Sequence, residues 1–177
     1  MAAIRTIAQM GHPILRQVSR SIAGLEEPAI RSLGEDLLET AIHSNGVGIA
    51  APQVFESLRM IVIASRPSVR YPRAPELPPE VMVNPELLWA SDEKESGWEG
   101  CLSIPGLRGL VPRHHRVGVK YFTLDGQEHE VVFEGFPARV FQHEFDHLQG
   151  KMFIDRLESL NDLFTEQEYQ RRLTEED

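Results

Sequence analysis

A predicted helix near the end of the chain constrains the fold more than any other segment. The helical pattern covers residues 136–149, with Pro137 in its first turn and Gly150 at its end. One stripe of this helix contains Val140, His143, Glu144, His147 and Leu148. Because the valine and the leucine mark the stripe as buried, its polar members need partners inside the fold. The rest of the chain must therefore pack around this helix and supply them.

The other regular elements are predicted to be one helix and several strands. Residues 28–44 carry an amphipathic helical pattern, and residues 59–65 read as a buried strand. Residues 81–89 are extended again. Residues 111–133 are the strongest strand region, and Asp125-Gly126 within it predicts a hairpin.

The remaining segments are predicted to be irregular. Residues 46–53 form a tight Gly-rich segment, 66–79 a proline-rich surface loop, and 91–97 a polar turn region. The order of elements lacks the regular strand–helix alternation of a parallel α/β protein. We therefore expect one α+β domain over residues 1–177, with antiparallel sheets packed around a central helix and an N-terminal amphipathic helix. Residues 155–177 are expected to be a peripheral charged tail that is partly helical or frayed.

Composition narrows the function classes. A chain of 177 residues can bury a core without metal or disulfide staples, so a bound metal would be functional. The net charge of −9 disfavours binding to phosphate backbones. The single cysteine excludes an intramolecular disulfide, and no apolar run approaches the ~20 residues of a membrane span. With no signal-peptide pattern at the start, we expect a cytoplasmic protein without nucleic-acid or membrane partners.

The central helix carries a metal-binding pattern. His143 and His147 are four residues apart on one helix face, so their rings can converge on one divalent ion. Glu144, beside the first histidine, can act as a general base toward water. A catalytic site of this type has three protein ligands and an open position. The residues alone leave three candidates for the third ligand: Cys101, Glu166 and Glu168.

Three segments together resemble the bacterial peptide deformylase family. Residues 46–53 match Gly-x-Gly-hydrophobic-Ala-Ala-Pro-Gln, residues 99–103 match Glu-Gly-Cys-Leu-Ser, and residues 142–148 match Gln-His-Glu-x-Asp-His-Leu. Their order along the chain also matches. The resemblance implies a metal-dependent hydrolase that removes the formyl group from the N-terminal formyl-methionine of new polypeptides and releases formate. Two alternative functions stay open. One is a metal-dependent peptidase with Glu166 or Glu168 as the third ligand, and the other is a catalytically silent metal- or peptide-binding domain.

The resemblance also implies roles for the residues at the centre of the site. Glu144 would be the general base, and Gln53 would donate its side-chain amide to the oxyanion. The backbone N–H of Leu102 would be the second oxyanion donor. The implied metal ligands are Cys101, His143 and His147. The implied metal is one divalent ion per chain, with Fe²⁺ as the working metal and Zn²⁺, Ni²⁺ or Co²⁺ as alternative occupants.

The substrate positions follow from the same resemblance. Val47, Gly48 and Gly100 would lie beside the extended peptide, and Phe136 would wall the methionine pocket. Arg139 stands where the family often has an apolar wall, so only its aliphatic stem would line that pocket. Glu99 and Arg113 are implied to form an ion pair. The implied partners are N-formyl-methionyl nascent peptides, with transient proximity to the ribosome.

Overall fold

The computed structural model describes residues 2–175. Met1 and residues 176–177 lie outside the described part, and so do the corresponding ends of the predicted domain and tail.

Three α-helices and eight strands make up the described chain. The helices are α1 (Pro28–His43), α2 (Phe136–Leu148) and α3 (Glu166–Glu175). The first four strands are β1 (Gly48–Ala50), β2 (Met60–Ile63), β3 (Glu80–Ala90) and β4 (Lys94–Cys101). The last four are β5 (Ile104–His114), β6 (Arg116–Phe122), β7 (Glu128–Glu134) and β8 (Leu163–Thr165). Short 3-10 helices cover Pro13–Arg16, Ala51–Val54, Phe153–Arg156 and Leu160–Asp162.

The strands form two antiparallel sheets. The larger sheet has the order β1-β2-β3-β6-β7, and the smaller has the order β4-β5-β8. The hairpin between β6 and β7 turns at Asp125-Gly126 as predicted, with Gly126 at φ 76°. The α+β prediction with antiparallel sheets is therefore confirmed.

Strand β2 shows how the larger sheet is covered on both faces. Ile61 and Ile63 belong to a buried cluster that includes Val140 and Phe141 of α2. The alternating residues Met60 and Val62 belong to a second cluster, shared with Leu33, Leu37 and Ala41 of α1. Because strand side chains alternate between faces, this all-apolar strand is buried on both sides. The sheet thus lies between the two helices, and α2 is held close to β1 and β2.

The smaller sheet packs against the other side of the site. Cys101, Ile104 and Val111 share a third buried cluster with Met152 and Phe153, which follow α2. The chain after α2 therefore covers β4 and β5. This arrangement brings the end of β4 toward the buried face of α2.

Two predictions on irregular segments need correction. The polar turn predicted for residues 91–97 is wrong from Lys94 onward, because β4 begins there and pairs with β5 from Lys94↔His114. In the charged tail, helix α3 agrees with the expected partial helix, but the tail is not merely peripheral, because β8 adds to β5 and Tyr169 of α3 is buried. Both strands have exposed polar residues and gain their structure from pairing, which a local pattern does not reveal.

Candidate metal centre and active site

Helix α2 presents the predicted polar residues on a buried face. It begins after Gly135, whose φ of 65° is readily adopted only by glycine, and Pro137 lies in its first turn. Ten of its thirteen residues are buried, including His143, Glu144 and His147. The two histidine rings have centroids 5.2 Å apart, as the four-residue spacing predicts.

Cys101 completes a group of three potential metal ligands. Its Sγ and one nitrogen from each of His143 and His147 lie within 4.8 Å of one another, and all three residues are buried. Cys101 Sγ is 3.4 Å from His147 Nε2. A thiolate and two imidazoles suit zinc, iron, cobalt and nickel. The donor set therefore fits the divalent metal that the family implies, but it does not choose among these ions.

Glu99 fixes the orientation of His143. The Nδ1 of His143 donates to Glu99 Oε2 at 2.8 Å, which leaves Nε2 to face the ligand group. Arg113 donates to both Glu99 oxygens at 2.8 and 2.9 Å, confirming the predicted ion pair. Arg139 adds a third contact to Glu99 at 2.9 Å. Burial opposes ionisation of Glu99, but Arg113 and His143 outweigh it, so the pKa of this carboxyl lies far below its ordinary value.

The same cluster favours a thiolate at Cys101. Burial acts to raise the pKa of the thiol, yet His147 and His143 lower it well below its ordinary value. Burial acts to lower the pKa of His143, whereas contacts with Cys101 and Glu99 raise it well above the usual range. The anionic sulfur is the form that binds a divalent cation, and a metal bound here would replace the proton held by His143, because an imidazole ligand must be neutral.

Glu144 lies between the ligand group and the Gly-rich segment. Burial raises the pKa of Glu144 to about 7, which suits a group that exchanges protons near neutral pH. Its Oε2 has no hydrogen-bond partner among the described residues. A Cβ on Gly48 would stand 2.7 Å from Glu144 Oε1, so only glycine leaves room for the carboxylate. Steric exclusion by Glu144 therefore explains why position 48 is a glycine.

Gln53 reaches the site from the 3-10 helix Ala51–Val54. The N–H of Ala50 donates to its Oε1 at 2.8 Å, which turns the amide NH₂ toward Cys101. Its Nε2 donates to Ser103 Oγ at 3.1 Å and lies 3.5 Å from Cys101 Sγ. Leu102 follows Cys101 at the end of β4 and lines the same cavity.

The cavity beside the ligand group is lined by all five predicted substrate-contact residues: Val47, Gly48, Gly100, Phe136 and Arg139. The guanidinium of Arg139 is occupied, because it donates to Glu99, to Val111 O at 2.7 Å and to Glu95 O at 2.6 Å. It therefore leaves no unpaired charge in the cavity.

The alternative third ligand Glu166 is engaged elsewhere. Its carboxylate accepts from Arg108 Nε at 2.7 Å, and neither Glu166 nor Glu168 belongs to the ligand group found among residues 2–175.

Sequence reasoning missed two residues at this site. Tyr71, from the proline-rich loop, lines the cavity and its hydroxyl contacts both the N–H and the C=O of Gly100, at 3.0 and 3.3 Å. Asp146, inside the helix motif, accepts from Arg113 at 2.6 Å and from Arg156 Nε at 3.0 Å. The aspartate was visible in the motif but had no assigned partner, whereas nothing local indicated Tyr71.

A buried Cys/His/His group with an adjacent buried glutamate and an aimed side-chain amide defines a metal-dependent hydrolase. Comparison with known proteins gives the family. A model of the polypeptide deformylase family matches residues 4–162, and the chain belongs to this family. It is an enzyme that removes the N-formyl group from newly made polypeptides.

Individual relatives agree over nearly the whole chain. Peptide deformylase 2 of Nostoc sp. is 49% identical over 168 residues, which are 95% of this chain and 94% of that protein. Peptide deformylase 1 of Bordetella pertussis is 43% identical over 157 residues, or 89% of each chain. The crystal structure of a class I type b peptide deformylase from Acinetobacter baumannii, bound to Met-Ala-Ser, superposes with a TM-score of 0.86. It is 47% identical and covers 89% of this chain and 100% of that one.

No helix within residues 2–175 combines the length and the apolar character needed to cross a membrane.

Proposed function

We propose that Cys101, His143 and His147 hold one divalent metal ion and that Glu144 is the general base for deformylation. The observation that carries this proposal is the convergence of the three ligand atoms beside a buried, unpaired Glu144 oxygen. The metal supplies Lewis acidity, which lowers the pKa of water to near neutrality and polarises a carbonyl. We further propose Fe²⁺ as the working metal, with Zn²⁺, Ni²⁺ or Co²⁺ as alternative occupants.

Glu144 moves the proton in this mechanism. Its carboxylate takes a proton from the attacking water as the water oxygen bonds to the formyl carbon. The protonated Glu144 then passes this proton to the departing amine as the C–N bond breaks, giving formate and a free N-terminus. Burial raises the pKa of Glu144 above its ordinary value, which favours a group that both accepts and returns a proton.

Gln53 and the backbone N–H of Leu102 stabilise the negative charge that develops on the formyl oxygen. The contact from Ala50 holds the Gln53 amide with its NH₂ directed toward the site. Such a preorganised donor typically contributes ~3–4 kcal/mol to the transition state.

Main-chain groups position the peptide. We propose that the substrate lies extended beside Val47, Gly48 and Gly100, because all three residues line the catalytic cavity. Phe136 and the stem of Arg139 would wall the methionine pocket. The substrates are N-formyl-methionyl nascent chains, and the enzyme works in the cytoplasm close to the ribosome.

The test is formate release from formyl-Met-Ala-Ser by protein purified without oxygen and supplied with Fe²⁺. Glu144→Gln is expected to lower kcat roughly 10²- to 10⁴-fold, because it removes general-base catalysis at nearly constant shape. Glu35→Gln, an exposed change on α1, is the matched control and should leave the rate unchanged.

Two results would contradict this proposal. Equal rates for wild type and Glu144→Gln would remove the glutamate from the mechanism. Cleavage inside an unformylated peptide, without formate release, would instead support the peptidase.

A further inference from the structure

A second groove opens beside the catalytic cavity. Its volume is about 560 Å³, which falls within the ~300–1,000 Å³ typical of ligand sites. We call it the side groove, and its walls include Arg70, Tyr71, Arg73, Phe136, Tyr169 and Leu173. Three of these residues, Arg70, Tyr71 and Phe136, also line the catalytic cavity. The two spaces are therefore neighbours that share one wall.

Gly100 lies on the catalytic-cavity side of this shared wall. The Tyr71 hydroxyl contacts the N–H of Gly100 at 3.0 Å, and a Cβ on Gly100 would stand 2.9 Å from Arg70 Nη2. A peptide running past Gly100 advances ~3.3 Å per residue when extended. Because the Tyr71 hydroxyl occupies the main chain of Gly100, such a peptide must displace it, and its residues after the first two would then pass Arg70 toward the side groove.

Arg108 holds the two walls of the side groove together. Its guanidinium lies 5.1 Å from the Tyr71 ring centroid and 5.0 Å from that of Tyr169 on α3. It also bonds to Glu166 at 2.7 Å and to the carbonyl of Arg70 at 3.3 Å. The side groove is thus a built feature in which one buried cation braces both the loop and the terminal helix.

The side groove carries positive charge from Arg70 and Arg73. Within residues 2–175, neither arginine forms a salt bridge; Glu166 is bonded to Arg108 and is attracted by Arg70 only over a longer distance. Arg73 is exposed and Arg70 is half-buried. On a chain with a net charge of −9, two unpaired arginines beside the active site form a local exception. They complement acidic side chains.

We propose that the side groove binds the substrate polypeptide downstream of formyl-methionine and that Arg70 and Arg73 favour acidic residues there. This inference rests on the proposed function, because it needs the peptide to leave the catalytic cavity past Gly100. It assigns a sequence preference to positions three to five of the substrate.

The experiment compares peptides that differ only in charge. The parent is formyl-Met-Ala-Ala-Ala-Ala, and Glu or the isosteric Gln replaces alanine at position three, four or five. The kcat/KM for formate release is measured for each peptide, and the quantity of interest is the Glu/Gln ratio at each position. Exposed ion pairs of this kind predict a wild-type ratio of roughly two to five at one or more positions. The ratio should fall toward one at high salt.

Charge reversal locates the source of the preference. Arg73→Glu is expected to bring the ratio below one, and Arg70→Gln should reduce it toward one. Arg20→Glu is the matched control, because Arg20 is exposed, does not line the side groove and undergoes the same change in net charge. Its ratio should stay at the wild-type value.

The outcomes distinguish a failure of the side-groove preference from a failure of the proposed deformylation. Formate release with a ratio of one at all three positions would overturn the side-groove preference and leave deformylation standing. An equal fall in Arg20→Glu and Arg73→Glu would assign the effect to net charge and would also overturn it. No formate from any peptide would overturn both proposals.

Discussion

At the scale of single residues, Arg139 and Gly97 are mutually dependent. A Cβ on Gly97 would stand 2.7 Å from Arg139 Cζ, so the guanidinium occupies the space that a side chain at position 97 would need. In return, the buried guanidinium satisfies Glu99 and three backbone carbonyls, one of which belongs to Gly97. The pair therefore shapes the cavity wall and braces the residue that orients His143.

This dependence predicts a coupled double-mutant cycle. Gly97→Ala alone is expected to destabilise by ~1–3 kcal/mol through overpacking, and Arg139→Ala alone by about 3 kcal/mol through lost buried contacts. In the Arg139→Ala background the added methyl has room, so the coupling energy should reach at least ~1 kcal/mol. Urea unfolding of the four proteins measures it. Gly97→Ala combined with the distant Arg31→Ala is the control, and the two changes in unfolding free energy should add. Additive changes for Gly97→Ala and Arg139→Ala would refute the steric account.

Cys101 is the residue that separates a deformylase-type site from a general metallopeptidase site. Cys101→Ala removes one of the three proposed ligands and is expected to lower metal affinity by at least ~10²-fold, because a buried thiolate contributes strongly to binding. Metal content after dialysis against a weak chelator measures this. Glu168→Ala is the control and should keep its metal. Loss of metal from Glu168→Ala with retention in Cys101→Ala would reverse the assignment.

At the scale of elements, strand β4 shows where local patterns fail. Helix α2 was predictable because Pro137, Gly150 and an apolar stripe define it locally. Strand β4 begins with Lys94, whose side chain is exposed, and its partner β5 lies beyond Cys101. The strand forms because β4 pairs with β5, which lies later in the sequence. The local pattern of residues 91–97 contains no sign of this partner and predicts a polar turn. The side groove could not be predicted for the same reason, since Tyr71 and Tyr169 come from segments about a hundred residues apart.

Helix α3 is attached through the pair Arg108–Glu166, and this predicts a pH dependence. Burial acts to raise the pKa of Glu166, but the bond from Arg108 lowers it below its ordinary value. A depressed folded-state pKa means that the carboxylate stabilises the fold above the unfolded pKa of ~4.3 and loses this effect as pH falls through the folded value. Glu166→Gln should therefore lower the unfolding free energy by about 1 kcal/mol at pH 7, since the carboxylate is partly exposed.

The difference between wild type and Glu166→Gln should shrink steadily as pH falls below 4. Urea midpoints of both proteins from pH 3 to 7 would show it. Glu168→Gln, on the same helix, is the matched control, because within residues 2–175 Glu168 forms an ion pair only with exposed Arg171. A difference that grows at low pH would contradict the linkage.

At the scale of the whole molecule, the ligand group joins parts of the chain that fold as separate elements. Cys101 ends a strand of the smaller sheet, the two histidines lie on α2, and Gln53 approaches from beside the larger sheet. The three motifs could be read in order along the sequence. Their convergence could not, because it depends on how α2 is held between the sheets. A metal bound at this junction stabilises the native state only, because the unfolded chain does not bring the ligands together.

Metal removal is therefore expected to lower global stability without unfolding the enzyme. At a free metal concentration one hundred times Kd, binding contributes about 2.7 kcal/mol, equivalent to a fall in Tm of about 5–10 °C on removal from a chain of this size. Calorimetry of protein with and without chelator measures the shift, and far-UV circular dichroism at 25 °C should be unchanged because the cores do not need the ion. Cys101→Ala supplies the control: its Tm should be insensitive to the chelator. An equal shift in Cys101→Ala would place the stabilising ion away from Cys101, whereas a full loss of structure on chelation would mean that the metal holds the two sheets together.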